Sequence, residues 1–197
     1  LGEIREAAIL VGAEHKGFVL QGFVYNGDTR KNSDNEQLDQ FGALLGYGGE
    51  SGDVAYNAAV SYINNMGDTN GLTDGLGGNA TALSRYVPGV EVHGDISYRN
   101  FTVRAGYMTA LRSFAAGEVA FAGVGAQPVA WNVEAAYTLP IMGKDTTFAA
   151  TVQGTEEAQA LGLPRLRLGG AITVAVVEHF AVTAEYLHDK DYDTSDG

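Results

Sequence analysis

Between Gly89 and Met108 the chain alternates. Val90, Val92, Ile96 and Tyr98 are apolar or aromatic, and Glu91, His93, Asp95, Ser97 and Arg99 stand between them. After Asn100 the pattern resumes, with Val103, Ala105 and Tyr107 set against Thr102, Arg104, Gly106 and Met108. Period two is the signature of an extended strand, and the break at Asn100 predicts a tight turn. The same reading along the whole chain predicts ten strands in five pairs. Ile4–Glu14 and Phe18–Asn26 flank His15 and Lys16, and Leu38–Tyr47 and Val54–Ile63 flank "GGESGD". Val90–Arg99 and Phe101–Phe114 flank Asn100, and Val129–Ile141 and Thr146–Gly154 flank "MGKD". Arg165–Val177 and Phe180–Leu187 flank "EH". No helical stripe of useful length interrupts them.

Connection lengths then narrow the fold class. The turns inside pairs are short. The links between pairs are longer: "GDTRKNSDNEQ", Asn64–Pro88, Ala115–Pro128 and Thr155–Pro164. Regular alternation of short and long connections is the habit of outer-membrane barrels, with short periplasmic turns and longer outer loops. Soluble sandwiches mix turn lengths and cross in Greek keys, and a lipocalin-like barrel is the other soluble alternative. The expected fold is all-β: an antiparallel up-and-down transmembrane β-barrel, about ten strands in this chain. Both ends of the strand series would lie on the outer side, whereas such barrels close with both termini inside. The simplest complete barrel therefore has twelve strands. Residues 1–197 are expected to form a single β-barrel domain, the internal part of a longer chain.

The two faces differ in charge. Val129, Trp131, Val133, Ala135, Tyr137 and Leu139 share a face without ionisable groups other than tyrosine. So do Phe148, Ala150 and Val152; Leu166, Leu168, Gly170, Ile172, Val174 and Val176; and Phe180, Val182, Ala184 and Tyr186. A lipid-facing strand must exclude charge, because each ionisable group near the midplane costs about 2–4 kcal/mol. Val90, Val92, Ile96, Tyr98, Val103, Trp131, Val133, Leu168 and Ile172 are thus expected to face lipid. Tyr62, Tyr98, Trp131, Tyr137, Phe180 and Tyr186 suit interfacial girdles. Gly106, Ala130, Ala136, Ala149, Gly169 and Ala171 fall on the opposite face and would leave an interior unfilled, where a soluble core would be large and close-packed.

Composition adds four points. The mean hydropathy of -0.05 resembles a soluble protein, but a membrane strand is only half apolar and averages to that value. There is no apolar run long enough for a transmembrane helix. The formal charge of -12 argues against nucleic acid as a partner, and the absence of cysteine fits a compartment in which no disulfide is needed. The sequence begins at Leu1 without a visible signal peptide, as a mature chain or a fragment would.

Four stretches carry a family likeness: "GFVLQGFVYNGD", "VSYINNMGDTNGL", "VPGVEVHGDISYRNFTVRAGYMTALRSF" and "WNVEAAYTLPIMGKDTTFAATVQGTEEA". Together they resemble the siderophore porins of the legiobactin-receptor type (the LbtU family). The resemblance implies an outer-membrane barrel of a Gram-negative-type bacterium that takes up ferric siderophores without a plug domain. It supplies no ligand-binding residues.

The expected function is a porin-like channel for small solutes, with the lipid bilayer of the outer membrane and a small anionic or siderophore solute as partners. Its expected pore-lining residues are Glu91, Asp95, Arg99, Arg104, Arg112, Glu134, Arg165, Arg167 and Glu185. Arg112, Arg165 and Arg167 should lie toward the outer mouth, where arginines favour anions. Wall-to-wall ion pairing that only holds the barrel open is the competing reading. A structural or partner-binding barrel with a closed lumen is the alternative function, and a barrel hydrolase a further one. Glu91, His93, Asp95 and Ser97 share a face at two-residue steps, about 7 Å apart, too far for direct bonding unless side chains lean together. No nucleophile elbow occurs, so the chain is not read as an enzyme. "NMGDTNGLTDGLGGN" faintly resembles a calcium loop through Asp68, Asn70 and Asp74, but its spacing and the missing closing glutamate favour a flexible outer loop. No cofactor or metal is expected.

Overall fold

A computed structural model describes residues 7–27, 29–31, 38–69, 72 and 82–193. Ten strands dominate it: β1 (Ala8–His15), β2 (Phe18–Tyr25), β3 (Gln40–Ser51), β4 (Val54–Ile63), β5 (Gly89–Tyr98), β6 (Phe101–Ala110), β7 (Val129–Ile141), β8 (Lys144–Glu156), β9 (Leu166–Val177) and β10 (Phe180–Lys190). Each pairs antiparallel with its neighbour in sequence, so the ten form one up-and-down sheet without a crossover. β1 and β10 are its two edges and do not pair with each other; the described sheet is open.

The alternating pattern forces this arrangement. Five two-residue turns lie at one end and the four longer connections at the other. At Lys16–Gly17 both residues have positive φ, 48° and 83°, and at Met142–Gly143 φ is 52° and 73°. Paired positive φ values suit the right-handed twist of hairpin strands. Gly17 is also required by contact, because a Cβ there would collide with the carbonyl oxygen of Gly48. The Gly17 carbonyl in turn accepts a 2.9 Å bond from Gly48 N, which ties β2 to β3 at the turn end.

Several boundaries differ from the sequence expectation. The strand expected to run to Arg99 ends at Tyr98, and Arg99 is part of the turn, with φ 52°. The strand expected to run to Phe114 ends at Ala110, because the following segment bends to bury Phe114. β8 is longer than expected at both ends, and β10 runs on to Lys190. There Arg167 and Asp189, directly opposite across β9 and β10, form a bidentate ion pair that holds the strands in register. The expected residues of the first strand before residue 7 lie outside the described residues.

The long connections are packed. Met66, Leu72, Leu83, Val87, Phe114, Val119 and Ala126 join Ala110 in a buried cluster, with Ile63, Tyr86, Met108, Phe121 and Leu161 against it. Ile63, Met108 and Ala110 are on the polar face of their strands, so this cap folds over that face. A buried polar network continues it. Asp68 accepts from Thr29 N at 2.6 Å, and Asn65 donates to Thr29 Oγ1 at 2.7 Å and to Gln40 Oε1 at 2.9 Å. The loop expected to be flexible is therefore folded wherever it is described, with Met66–Asp68 as a short 3₁₀ turn. Asn70 and Asp74 lie outside the described residues.

Candidate functional site

Register assigns every strand residue to one of two faces. The first face is apolar and uncovered. Leu20, Leu45, Val60, Val92, Tyr107 and Trp131 follow one another across six strands. Val92, Ile96, Tyr98, Val133, Leu168 and Ile172 are all exposed, although they are the residues a water-soluble sheet would bury. Ionisable side chains on this face other than tyrosine are confined to strand ends: His15, Lys144, Glu156, His188 and Lys190.

Aromatic residues are spaced regularly on it. Phe41 and Tyr47, Tyr56 and Tyr62, Phe101 and Tyr107, Trp131 and Tyr137, and Phe180 and Tyr186 are each six residues apart on one strand. Register places them in two rows. On the turn side Tyr98, Phe101, Tyr137 and Phe148 lie opposite one another in succession, and on β2 and β3 Phe18 and Tyr47 meet as tilted rings 4.5 Å apart. On the side of the long connections Tyr107 faces Trp131, and Phe41 lies 6.2 Å from Tyr62. Between the rows are Ala43, Leu45, Ala58, Val60, Val103, Ala105, Val133 and Ala135. The individual aromatics were legible in the sequence. Their alignment into rows required the register.

The second face carries the chemistry. One cross-strand row reads Asn57, Asp95, Arg104, Glu134, Thr151 over β4 to β8. The Arg104 guanidinium donates to Glu134 Oε1 at 2.7 Å, and the Asn57 amide donates to Asp95 Oδ1. A second row reads His93, Gly106, Asn132, Gln153, Arg167, Asp189. Nearer the turns the face is tied by hydroxyl pairs: Ser97 with Thr102 at 2.9 Å, Thr138 with Thr147 at 2.7 Å, and Thr173 with Thr183 at 2.9 Å. Toward the long connections this face borders a cavity of about 660 Å³, lined among others by Glu91, Met108, Asn132, Gln153, Thr155 and Leu163. Gly106 and Ala130 help to form it because they add almost no bulk.

Six of the nine expected wall residues lie on this face: Glu91, Asp95, Arg104, Glu134, Arg167 and Glu185. Three do not. Arg99 is in the turn, paired at 2.8 Å with Asp53 of the next turn and lying 5.1 Å from the Tyr98 ring centre. Arg112 is exposed beyond the end of β6, and Arg165 is exposed immediately before β9. The expected trio of mouth arginines is thus reduced on the wall to Arg167, which Asp189 already holds. Sequence reading missed Asp189, because its strand was expected to stop at Leu187. It also left out Asn132 and Gln153, whose meeting depends on register.

The same-face series on β5 assembles no nucleophilic site. His93 Nδ1 lies 3.4 Å from Glu91 Oε1, but the Ser97 hydroxyl bonds to Thr102, and Asp95 is engaged by Asn57. Among the described residues no group of three or more His, Asp or Glu side chains is arranged to hold a metal ion.

Over 196 residues, 98% of its length, the chain is 30% identical to a "UPF0422 protein" of Coxiella burnetii and covers 42% of that protein. Over 164 residues it is 27% identical to a "UPF0422 protein" of Legionella pneumophila, matching 77% of this chain and 31% of the relative. The chain therefore spans less than half the length of the curated relatives it matches. Their names state no activity. No family model matches the chain, and no solved structure matches it.

Proposed function

We propose that the ten-stranded sheet is part of the wall of an outer-membrane β-barrel, and that its polar face lines a porin-like path for small solutes. The observation that carries this reading is the pair of aromatic rows bounding an exposed, charge-free band. Six residues span about 20 Å along a strand. Leu139 and Ile141 carry the apolar face of β7 further, toward the ~25 Å apolar band of an outer-membrane barrel. In water such a band would drive aggregation; in lipid it is the stable arrangement. Polar residues, small residues and a cavity on the opposite face suit a hydrated interior.

The open edges fit the same reading. Unpaired backbone groups are costly in hydrocarbon, so β1 and β10 would pair with further strands of a longer polypeptide. Twelve strands is the smallest even total that adds one at each edge.

The resemblance to legiobactin-receptor-type siderophore porins makes ferric siderophores the first solutes to test. A second reading, a barrel closed to solutes that serves assembly or partner binding, is favoured by the cap. Planar-bilayer recording of the purified protein separates the two. A steady conductance that a ferric siderophore blocks supports uptake; conductance without block supports general diffusion; a folded, inserted protein without conductance supports the closed barrel.

A further inference from the structure

We infer that the channel wall selects for cations, an inference that rests on the channel reading above. The two arginines on the polar face of the strands are both committed to carboxylates, Arg104 to Glu134 at 2.7 Å and Arg167 to Asp189 at 2.6 and 2.7 Å. Neither offers a free positive charge to a solute. The carboxylates exceed them. Asp95 is directly opposite Arg104, yet the guanidinium turns to Glu134, and Asp95 receives a neutral amide N–H from Asn57 instead. Glu91 has a histidine neighbour at 3.4 Å, and Glu185 lies within the electrostatic reach of Arg167 but leaves the direct contact to Asp189. Toward the turns Glu14, Glu50 and Asp145 add further negative charge on the same face.

The cavity at the mouth repeats the bias. Glu91 borders it on β5, and Asn132 and Gln153 stand directly opposite each other on β7 and β8. A small inorganic or amine-bearing cation would meet the Glu91 carboxylate there, beside two neutral carboxamides that can turn their oxygens to it. An anion would meet the Glu91 carboxylate there, and the arginine opposite Gln153, Arg167, is already held by Asp189. Carboxylate-lined walls pass cations, and arginine-lined walls pass anions. Of the arginines that suggested an anion path, Arg99 is in a turn at the far end, and Arg112 and Arg165 stand exposed past the strand ends on the side of the long connections, not on the strand wall.

The test is the reversal potential of the full-length protein in planar bilayers under a potassium chloride gradient, with folding verified by the heat-dependent gel shift of membrane barrels. The wild type should show a potassium-to-chloride permeability ratio above unity. The variant carrying Glu91→Gln, Asp95→Asn and Glu185→Gln should lower it about twofold or more. Arg104→Gln, which frees Glu134, should raise it. Both changes should grow in dilute salt, where the screening length rises from ~8 Å at physiological salt to ~30 Å at 0.01 M. A wild-type ratio at or below unity, or ratios unmoved by these substitutions, overturns the inference while leaving the channel reading in place. An inserted protein that passes no ions overturns cation selection together with solute passage. Failure to insert at all overturns the membrane reading beneath both.

Discussion

Replacing Val133 with arginine separates the lipid-facing account of the apolar face from any water-facing one. Val133 is 41% exposed and lies between Trp131 and Tyr137, the two aromatic positions of β7. Its cross-strand neighbours are Ala105 on β6 and Val152 on β8, so no acidic side chain is opposite to receive the new charge. Near the middle of a bilayer the guanidinium should cost about 2–4 kcal/mol, roughly a 30- to 900-fold shift in the folding equilibrium. On a water-exposed surface the same change should stay within about 0.5 kcal/mol. Thr151→Arg is the matched control. Thr151 lies on the polar face of β8 directly opposite Glu134, which already holds Arg104, and an arginine there stays in the hydrated polar row, so the change should stay within about 0.5 kcal/mol. Urea titrations of the protein folded into phosphatidylcholine vesicles, read by the gel shift, measure both. A Val133→Arg variant as stable as wild type, or one no worse than Thr151→Arg, would refute the assignment of the faces.

Two further outcomes follow from local geometry. Asn65→Ala removes the donor to Thr29 and Gln40 and the acceptor for Gly67 N, leaving buried polar groups unmatched at about 1–3 kcal/mol; limited proteolysis should then cut the long connections while the strands stay protected, and unchanged resistance would contradict a packed cap. Arg99→Ala breaks an ion pair whose side chains are 66% and 56% exposed, so thermal stability should fall by at most ~1 kcal/mol with ion selectivity unchanged, and a change of selectivity would return Arg99 to the wall.

Much of the sheet was legible because side chains alternate regardless of the rest of the fold. Val90 to Tyr98 and Val103 to Tyr107 announce strands from polarity alone, and "MGKD" announces the turn between β7 and β8. Strand ends were less legible, because they are decided by what packs beyond them. β6 stops at Ala110 because Phe114 is drawn into the cap, which carries Arg112 off the wall. β10 continues past Leu187 because Asp189 finds Arg167. The cap had no periodic signature: Met66, Val87, Phe114 and Val119 come from separate connections and meet only in three dimensions. Charge pairing was hidden for the same reason. Arg104 and Glu134 are thirty positions apart, and which carboxylate takes the guanidinium depends on register and side-chain direction. Individual charges could be read from the sequence, but the balance of the wall could not.

The chain's single tryptophan offers the most direct test of the central claim. Trp131 lies on the apolar face beside Tyr107, with its ring over Gly154. With the protein folded into vesicles, the emission lost on Trp131→Phe isolates this one site. If the apolar face meets lipid, that emission should be quenched by lipids brominated on the acyl chain and resist iodide in the water. Emission quenched by iodide and indifferent to brominated lipid would place the face in water and contradict the account.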